Sequence, residues 1–326
     1  MTTFHALDPL VTDISSEVLD AQRQVNQMLA QFPQPDVLTP QGLVQLRAIT
    51  APPQPAPELT PSDVTIAGPY QDLRLHIFTP ASSARAVIVR IHGGGWASGA
   101  PEDDEALNDQ IARRCQVAII SPGYHLVPES SVPHQIDECV AAVRWAVAQA
   151  QGRFGTSQLL LAGTSAGAHL AAATLLRLRD MADPAFTSIM GMHLDCGGYD
   201  LSGTPSVRSA TNDSLVLSRA LIEGLVELGL PGMDPEARRA PSLSPLYADL
   251  SGLPPALFTV GNLDPQRDDS LFLATRWRLA SNVADLDVWP EGAHAFTNMG
   301  TPLAAVAFDR TTSWISALLD KMEQGS

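Results

Sequence analysis

An apolar run, a G-x-S-x-G turn and an alanine-rich stretch follow one another in Leu160-Leu161-Ala162-Gly163-Thr164-Ser165-Ala166-Gly167-Ala168-His169. Glycines two positions before and after a serine let a strand and a helix approach each other, while the serine itself takes strained dihedral angles. Its hydroxyl then stands at the carboxyl edge of a sheet, beside a helix N-terminus that favours negative charge. We interpret Ser165 as a nucleophile. The motif alone also fits the alternative, a serine that caps an ordinary helix.

Near-continuous apolar runs, separated by stretches of helical length, lie on both sides of this turn. Strands that are buried on both faces of a parallel sheet have this pattern. Two alternating runs near 64–66 and 73–78 predict earlier, half-exposed strands, and helices are predicted at 137–150 and 166–178 among others. The apolar runs cover 86–91, 117–120, 159–162, 190–194, 255–260 and 285–289. The sequence therefore predicts an α/β fold with a mostly parallel sheet.

Two segments depart from this alternation and predict a cap. Residues 1–60 contain an amphipathic pattern at 14–31, a second short helical pattern, and then five prolines between positions 51 and 61 that predict a linker. Residues near 197–245 interrupt the strand–helix alternation with leucine-rich helical spacing. We expect an N-terminal helical cap segment and linker at 1–60, followed by a core at 61–326 that carries a cap insertion.

Composition limits the classes of partner. The 326 residues include 45% hydrophobic residues, enough for a sizeable core, and 20 basic against 35 acidic residues give a net charge of −15. This charge repels a phosphate backbone or an anionic lipid surface, so no nucleic-acid partner and no membrane insertion are expected. Three cysteines without CxxC spacing suggest neither a disulfide framework nor a zinc site. The first residues lack a signal-peptide pattern, and we expect a cytoplasmic protein.

A glycine run follows the apolar run 86–91, in Ile91-His92-Gly93-Gly94-Gly95-Trp96. Successive glycines after a strand can point backbone N–H groups at a developing oxyanion. A flexible turn and a phosphate-binding loop are the alternatives. The Lys-Ser/Thr pair of a Walker loop is missing, and the spacing G-x-G-x-x-G is not met. An oxyanion hole is therefore favoured once Ser165 is considered with it.

A serine nucleophile needs a base, and the base needs a carboxylate that orients it. Of eight histidines, His294 follows the last apolar run in a loop just before the C-terminal helix, whereas His169 lies one turn beyond Ser165 and is at best a supporting residue. Asp264 falls in the turn after another predicted core strand. Asp268 and Asp269 are interpreted as acids of a first helical turn, engaged in capping and solvation. The chain order Ser165, Asp264, His294 is the one expected of an α/β-hydrolase.

These motifs resemble those of the bacterial hormone-sensitive-lipase-like carboxylesterases, in the group with a GTSAG nucleophile turn. Residues 92–96 are similar to the HGGG element of that family, 264–268 (DPQRD) to its DPLRD, 292–296 (GAHAF) to its histidine region, and 124–129 (YHLVPE) to its YRLAPE. The departures lie outside the predicted triad. The resemblance spans roughly residues 60 to 320 and implies an α/β-hydrolase core with a helical cap, no metal or organic cofactor, and homodimers.

Together, motifs and resemblance predict a serine carboxylesterase that hydrolyses short- to medium-chain acyl esters, with small-molecule esters as substrates. Ser165 attacks, His294 transfers the proton, and Asp264 orients the imidazole. Backbone N–H groups of Gly94, Gly95 and Ala166 are expected to hold the oxyanion. An amide hydrolase of the aryl-formamidase type is the nearest alternative. A non-catalytic small-molecule receptor on the same fold is the other, and it would be expected to lack a triad member.

Overall fold

The central element of the structure is an eight-stranded sheet. The computed structural model describes residues 11, 13–49 and 56–324. Strand order in the sheet is β1-β2-β4-β3-β5-β6-β7-β8, in chain-order numbering. The pairs β1–β2 and β2–β4 are antiparallel, and every other pair of neighbours is parallel. The strands are β1 (Ser62–Ala67), β2 (Asp72–Phe78), β3 (Val87–Ile91), β4 (Ala118–Gly123), β5 (Leu159–Thr164), β6 (Ile189–Asp195), β7 (Ala256–Gly261) and β8 (Ala284–Trp289). The predicted fold class, an α/β-hydrolase fold, is confirmed.

The apolar runs read from the sequence form the parallel strands, and their ends agree within three residues. Residues of β3 and β5 are buried throughout, as expected for strands covered on both faces. The exposed residues of β1 alternate with partly buried ones, because β1 is an edge strand of the sheet. Because these five strands pair in parallel, the connections that leave the carboxyl ends of β3, β5, β6, β7 and β8 meet along one edge of the sheet.

Helices cover both faces of the sheet. They are α1 (Ser16–Leu29), α2 (Pro40–Ala48), α3 (Glu105–Cys115), α4 (Val132–Gln149), α5 (Ala166–Asp180), α6 (Pro205–Ser209), α7 (Arg219–Gly229), α8 (Pro235–Arg238), α9 (Arg267–Leu279) and α10 (Pro302–Gln324). The prediction for α4 was wrong at its start, because the helix begins at Val132, five residues before the expected start. Ser131 caps it and Pro133 lies in its first turn. Among the described residues, no helix has the length and apolar character needed to span a bilayer.

The order in which strands are added to the sheet reverses between β3 and β5. After β3 the chain adds β4 on one side, and after β4 it crosses back to add β5 on the other side. In open parallel sheets, ligands bind at the carboxyl edge where the strand order reverses in this way. The glycine run follows β3 and Ser165 follows β5, so both motifs flank this position.

The N-terminal helices contact two loops of this edge. The amide of Asn26 on α1 donates to the carbonyl of Glu291 at 2.9 Å, and Arg23 pairs with the same glutamate's carboxylate. On α2, Arg47 donates to the carbonyls of Ala97 at 2.9 Å and Val127 at 3.0 Å. The segment therefore holds the loop before His294 and the end of the glycine loop. Of the predicted proline linker, positions 50–55 lie outside the described residues, and residues 56–61 contain no helix or strand.

Candidate active site

The G-x-S-x-G turn is tightly packed around Ser165, whose φ of 56° and ψ of −122° are strained for a residue with a Cβ. A Cβ on Gly163 would lie 2.3 Å from the backbone of Gly167, and one on Gly167 would lie 2.0 Å from the carbonyl of Ile91. The N–H of Ser165 donates to the carbonyl of Asp195 at 2.8 Å. The serine side chain makes no capping bond to α5, so the capping interpretation was wrong. The hydroxyl is free to face the sheet edge.

Ser165, His294 and Asp264 lie in one hydrogen-bonded chain. The distance from Nε2 of His294 to Oγ of Ser165 is 2.8 Å, and that from its Nδ1 to Oδ2 of Asp264 is 2.9 Å. Because the carboxylate accepts, Nδ1 carries the proton and the lone pair of Nε2 points at the serine hydroxyl. Oδ1 of Asp264 accepts from the N–H of Gln266 at 2.8 Å, which fixes the carboxylate. The structure thus brings together three side chains that are distant along the sequence.

The glycine loop is held in a shape that requires glycine. Gly94 and Gly95 have φ of 111° and 60°. The carbonyl of Gly94 accepts from the N–H of Ser98 at 2.9 Å and from its hydroxyl at 2.9 Å. His92 donates from Nδ1 to the carbonyl of Gly93 at 2.8 Å, and burial lowers the pKa of this imidazole, which keeps it neutral. Ala166 begins α5, and the first N–H groups of a helix have no helical acceptor.

We expect Gly94→Ala to lower kcat for an ester substrate by about 10²- to 10³-fold, the effect of losing one oxyanion donor. The added Cβ would lie 2.1 Å from the carbonyl oxygen of Ser98, so the loop must move. Gly252→Ala is the matched control, because this glycine also has a positive φ (69°) while its added Cβ would meet nothing within 4 Å. Steady-state kinetics on p-nitrophenyl butyrate would measure both. Equal kcat in the two variants would contradict the role of this loop.

The side chains of Trp96 and His169 are hydrogen-bonded to each other next to the glycine loop. The sequence pattern did not predict this contact. The indole N–H of Trp96 donates to Nδ1 of His169 at 3.2 Å, and Nε2 of His169 donates to the carbonyl of Leu243 at 2.7 Å. An indole can only donate, so the tautomer of His169 is fixed. Burial lowers its pKa to about 4, which keeps it neutral. His169 therefore ties the loop to α5 and to the end of the inserted segment.

A buried ion pair lies beneath the nucleophile turn. Arg90 on β3 pairs with Asp104 and donates to the hydroxyl of Thr164 at 2.9 Å. Asp104 also accepts from the side-chain amide of Asn298 at 3.2 Å. Arg90 is 2% exposed and Asp104 5%. The residue before Ser165 and the segment after His294 are thereby joined through one buried ion pair, which limits their relative movement.

The carboxyl end of β6 adds two side chains near Ser165, His294 and Asp264. Asp195 accepts from the hydroxyl of Thr297 at 2.6 Å, and burial raises the pKa of its carboxyl to about 6. Cys196 has a φ of 46°, and burial raises the pKa of its thiol well above the usual range. The predicted strand ended at Leu194, and the spacing gave no signal for either residue. A neutral thiol here does not compete with Ser165 as nucleophile.

The acids after Asp264 do not simply cap a helix. Asp269 is 1% exposed, accepts from the backbone N–H of Tyr199 at 2.7 Å and from the hydroxyl of Thr204 at 2.6 Å, and burial raises the pKa of its carboxyl to about 7. Asp268 accepts from the N–H of Ser206 at 2.9 Å. The interpretation as solvated capping residues was therefore wrong for Asp269. The two acids fasten the start of the inserted segment to α9.

Metal-ligating atoms converge at one place in the described part of the chain. A sulfur, a carboxylate oxygen and a ring nitrogen lie within 4.8 Å of one another at Cys196, Asp264 and His294. Two of these residues belong to the hydrogen-bonded chain already described. The arrangement can perform nucleophilic attack by Ser165, proton transfer by His294 and oxyanion stabilisation by backbone N–H groups.

Comparisons with known proteins agree with this geometry. A family model described as an alpha/beta hydrolase fold matches residues 88–298. The chain is 29% identical to carboxylesterase NlhH of Mycobacterium tuberculosis, covering 81% of this chain and 83% of that protein. It is 31% identical to an acetyl-hydrolase of Streptomyces hygroscopicus, covering 67% and 70% respectively.

A solved structure titled as a hormone-sensitive lipase from a metagenome library superimposes with a TM-score of 0.76 at 28% identity, covering 91% of this chain and 98% of that one. The resemblance to hormone-sensitive-lipase-like carboxylesterases is thus confirmed, although a bacterial origin does not follow from it. With the family model matching well over half of its residues, the chain belongs to the alpha/beta hydrolase fold family.

Proposed function

We propose that this chain is a serine carboxylesterase with Ser165, His294 and Asp264 as its catalytic residues. The observation that carries the proposal is the unbroken chain of hydrogen bonds from Asp264 through His294 to the strained Ser165. The carboxylesterase and acetyl-hydrolase relatives support carboxylic esters as the substrate class. A receptor on this fold would need no such chain, and all three members are present.

Acylation begins when Oγ of Ser165 attacks the ester carbonyl while Nε2 of His294 takes the hydroxyl proton. The carbonyl oxygen becomes an oxyanion, which N–H groups of Gly94, Gly95 and Ala166 hold. Asp264 keeps the imidazole in its reactive tautomer and stabilises the imidazolium. The intermediate then collapses, the bond to the alcohol oxygen breaks, and His294 gives its proton to that leaving group. An acyl-enzyme on Ser165 remains.

Deacylation repeats these steps with water. His294 removes a proton from the water molecule as its oxygen attacks the acyl carbonyl, and the same N–H groups hold the second oxyanion. When this intermediate collapses, the carboxylic acid is released and the proton returns to Oγ of Ser165. Neither half requires a metal or organic cofactor, since every proton is carried by the imidazole.

Short- to medium-chain acyl groups are the proposed substrates because the inserted segment covers the glycine loop closely. A Cβ on Gly95 would lie 2.6 Å from Cδ1 of Leu225 on α7, and Leu225 is 4% exposed. Behind it, a Cβ on Gly224 would lie 2.9 Å from the side chain of Val37. The N-terminal segment thus packs against α7 from outside. These contacts support a cap made of residues 1–60 and the insertion near 197–245 over a core at 61–326.

We expect kcat/KM for p-nitrophenyl esters to be highest between acetyl and octanoyl and to fall by at least about tenfold at dodecanoyl, a difference of roughly 1.4 kcal/mol in the barrier. The reason is the closeness of Leu225 on α7 to the glycine loop, which limits the space for a long acyl chain. A matched p-nitroanilide should be hydrolysed far more slowly than the ester. An equal or faster rate on the anilide would favour the amide hydrolase, and a maximum at dodecanoyl would contradict the proposed acyl range.

We propose two further properties, an oligomeric state and a location. A homodimer is supported by the family resemblance and by β8, an edge strand flanked by Leu279 and Val283, which are 67% and 64% exposed. A cytoplasmic location is supported by Cys115, Cys139 and Cys196, which are all unpaired thiols.

A further inference from the structure

Cys196 occupies an unusual place for a cysteine. It follows β6 directly, its φ of 46° lies in the left-handed region that favours glycine, and its side chain is 1% exposed. Its sulfur lies within 4.8 Å of a carboxylate oxygen of Asp264 and of a ring nitrogen of His294. The proposed mechanism gives this thiol no task. The thiol thus lies at a backbone position with positive φ, close to two residues of the proposed catalytic machinery.

The three atoms form a ligand set suited to a soft divalent cation. Thiolate, imidazole and carboxylate are the ligands of zinc, with bonds of about 2.3 Å to sulfur and about 2.0 to 2.2 Å to nitrogen or oxygen. Tetrahedral geometry with such bonds places the ligand atoms about 3.3 to 3.6 Å apart. Separations up to 4.8 Å therefore require shifts of about an ångström. Magnesium and calcium prefer oxygen ligands and are a poor match for the sulfur.

We propose that Cys196, Asp264 and His294 bind a soft divalent cation such as Zn²⁺ or Cd²⁺, and that its binding switches the hydrolase off. The thiol of Cys196 releases its proton to solvent as its sulfur binds the metal, because a coordinating thiol is deprotonated outright. Asp264 and His294 each give one lone pair. A fourth position stays open to water, and no electron is transferred.

Loss of activity follows from either way in which the imidazole can bind, a step that rests on the proposed function. If Nε2 binds the metal, its lone pair no longer accepts the proton of Ser165. If Nδ1 binds, the hydrogen bond to Asp264 is broken and the remaining proton moves to Nε2, which again cannot act as a base. Removing the metal with a chelator restores the original hydrogen bonds, so the inhibition is reversible.

The first experiment titrates the full chain with Zn²⁺ or Cd²⁺ while following hydrolysis of p-nitrophenyl butyrate. Each variant is compared with its own metal-free rate. We expect micromolar metal to lower the wild-type rate by at least about tenfold, EDTA to restore it, and Mg²⁺ to have no effect. Cys196→Ser should need at least about tenfold more metal for the same inhibition, because serine offers no soft ligand. Cys139→Ser is the matched control, since that thiol is also fully buried but lies on α4.

A second experiment measures metal binding by absorbance, independently of ester hydrolysis. In the double variant Cys115→Ser/Cys139→Ser, Cys196 is the remaining thiol of the sequence. We expect one equivalent of Cd²⁺ to produce the ultraviolet charge-transfer band of a cadmium–thiolate bond, and Ser165→Ala in this background to leave the band in place. Equal metal sensitivity of Cys196→Ser and wild type, or no band in the double variant, would overturn the proposal. An inactive wild-type protein that still gave the band would count against the esterase function alone.

Discussion

Ser165→Ala should lower kcat/KM for p-nitrophenyl butyrate by about 10⁵- to 10⁶-fold, the largest loss expected from any single substitution in this chain. The variant lacks the atom that forms the acyl-enzyme, so only oxyanion stabilisation and substrate binding remain. These residual effects typically leave a rate about 10³- to 10⁴-fold above that in water. The melting temperature should change little, because alanine meets the same backbone strain as serine at a φ of 56°.

Ser157→Ala is the matched control for this variant. Ser157 is exposed and precedes the amino end of β5, the strand whose carboxyl end leads into Ser165. The control should keep wild-type kinetics and should still form a covalent adduct with a fluorophosphonate probe, as intact mass shows, whereas Ser165→Ala should form none. An unchanged rate in Ser165→Ala would mean that the hydrogen-bonded chain described above serves some other purpose.

Much of the sheet could be predicted because its strands are buried on both faces. Such strands must be apolar at nearly every position, so β3, β5 and β7 stand out as continuous runs that need no knowledge of their neighbours. The order of the strands within the sheet could not be predicted in this way. The antiparallel pairing of β2 with β4 joins segments more than forty residues apart, and nothing in either segment specifies its partner.

The inserted segment was harder to interpret, since its packing depends on distant residues. Tyr199 in this segment is fully buried, with its ring edge-on to Phe258. The backbone of this region is fastened by Asp269, seventy residues away along the chain. A carboxylate in a first helical turn is usually a solvated one. Only the fold reveals that this one turns inward and accepts from backbone and side-chain groups of the single segment 199–204.

Each member of the proposed triad could be selected from the sequence because it lies in a turn after a strand, a position that chain order and topology define. The supporting residues could not, because their roles depend on contacts across the sheet edge. Trp96 and His169 are 73 residues apart and belong to different motifs. Cys196 reaches the triad only because β6 lies between β5 and β7. The order of the strands in the sheet brings these side chains to a shared edge, and no pattern in the sequence indicates it.

Asp264→Asn should lower kcat by about 10³- to 10⁴-fold with little change in KM, the second largest effect expected. The asparagine amide can present its N–H group to Nδ1 of His294, which favours the tautomer with its proton on Nε2. That nitrogen lies 2.8 Å from Oγ of Ser165 and would then donate where it must accept. Because the side chains have the same shape, the melting temperature should stay close to that of the wild type.

Two other carboxylates decide whether this loss is specific to Asp264. Asp268→Asn removes a charge on α9 that accepts from Ser206 but does not bind His294, so it should keep most of the activity. Asp195 is the sharper comparison, because it is buried at the end of the neighbouring strand and its charge interacts with His294. If Asp195→Asn abolished activity while Asp264→Asn kept it, the acid of the triad would have to be reassigned to the end of β6. We expect the reverse, since Asp264 makes the direct 2.9 Å bond to Nδ1.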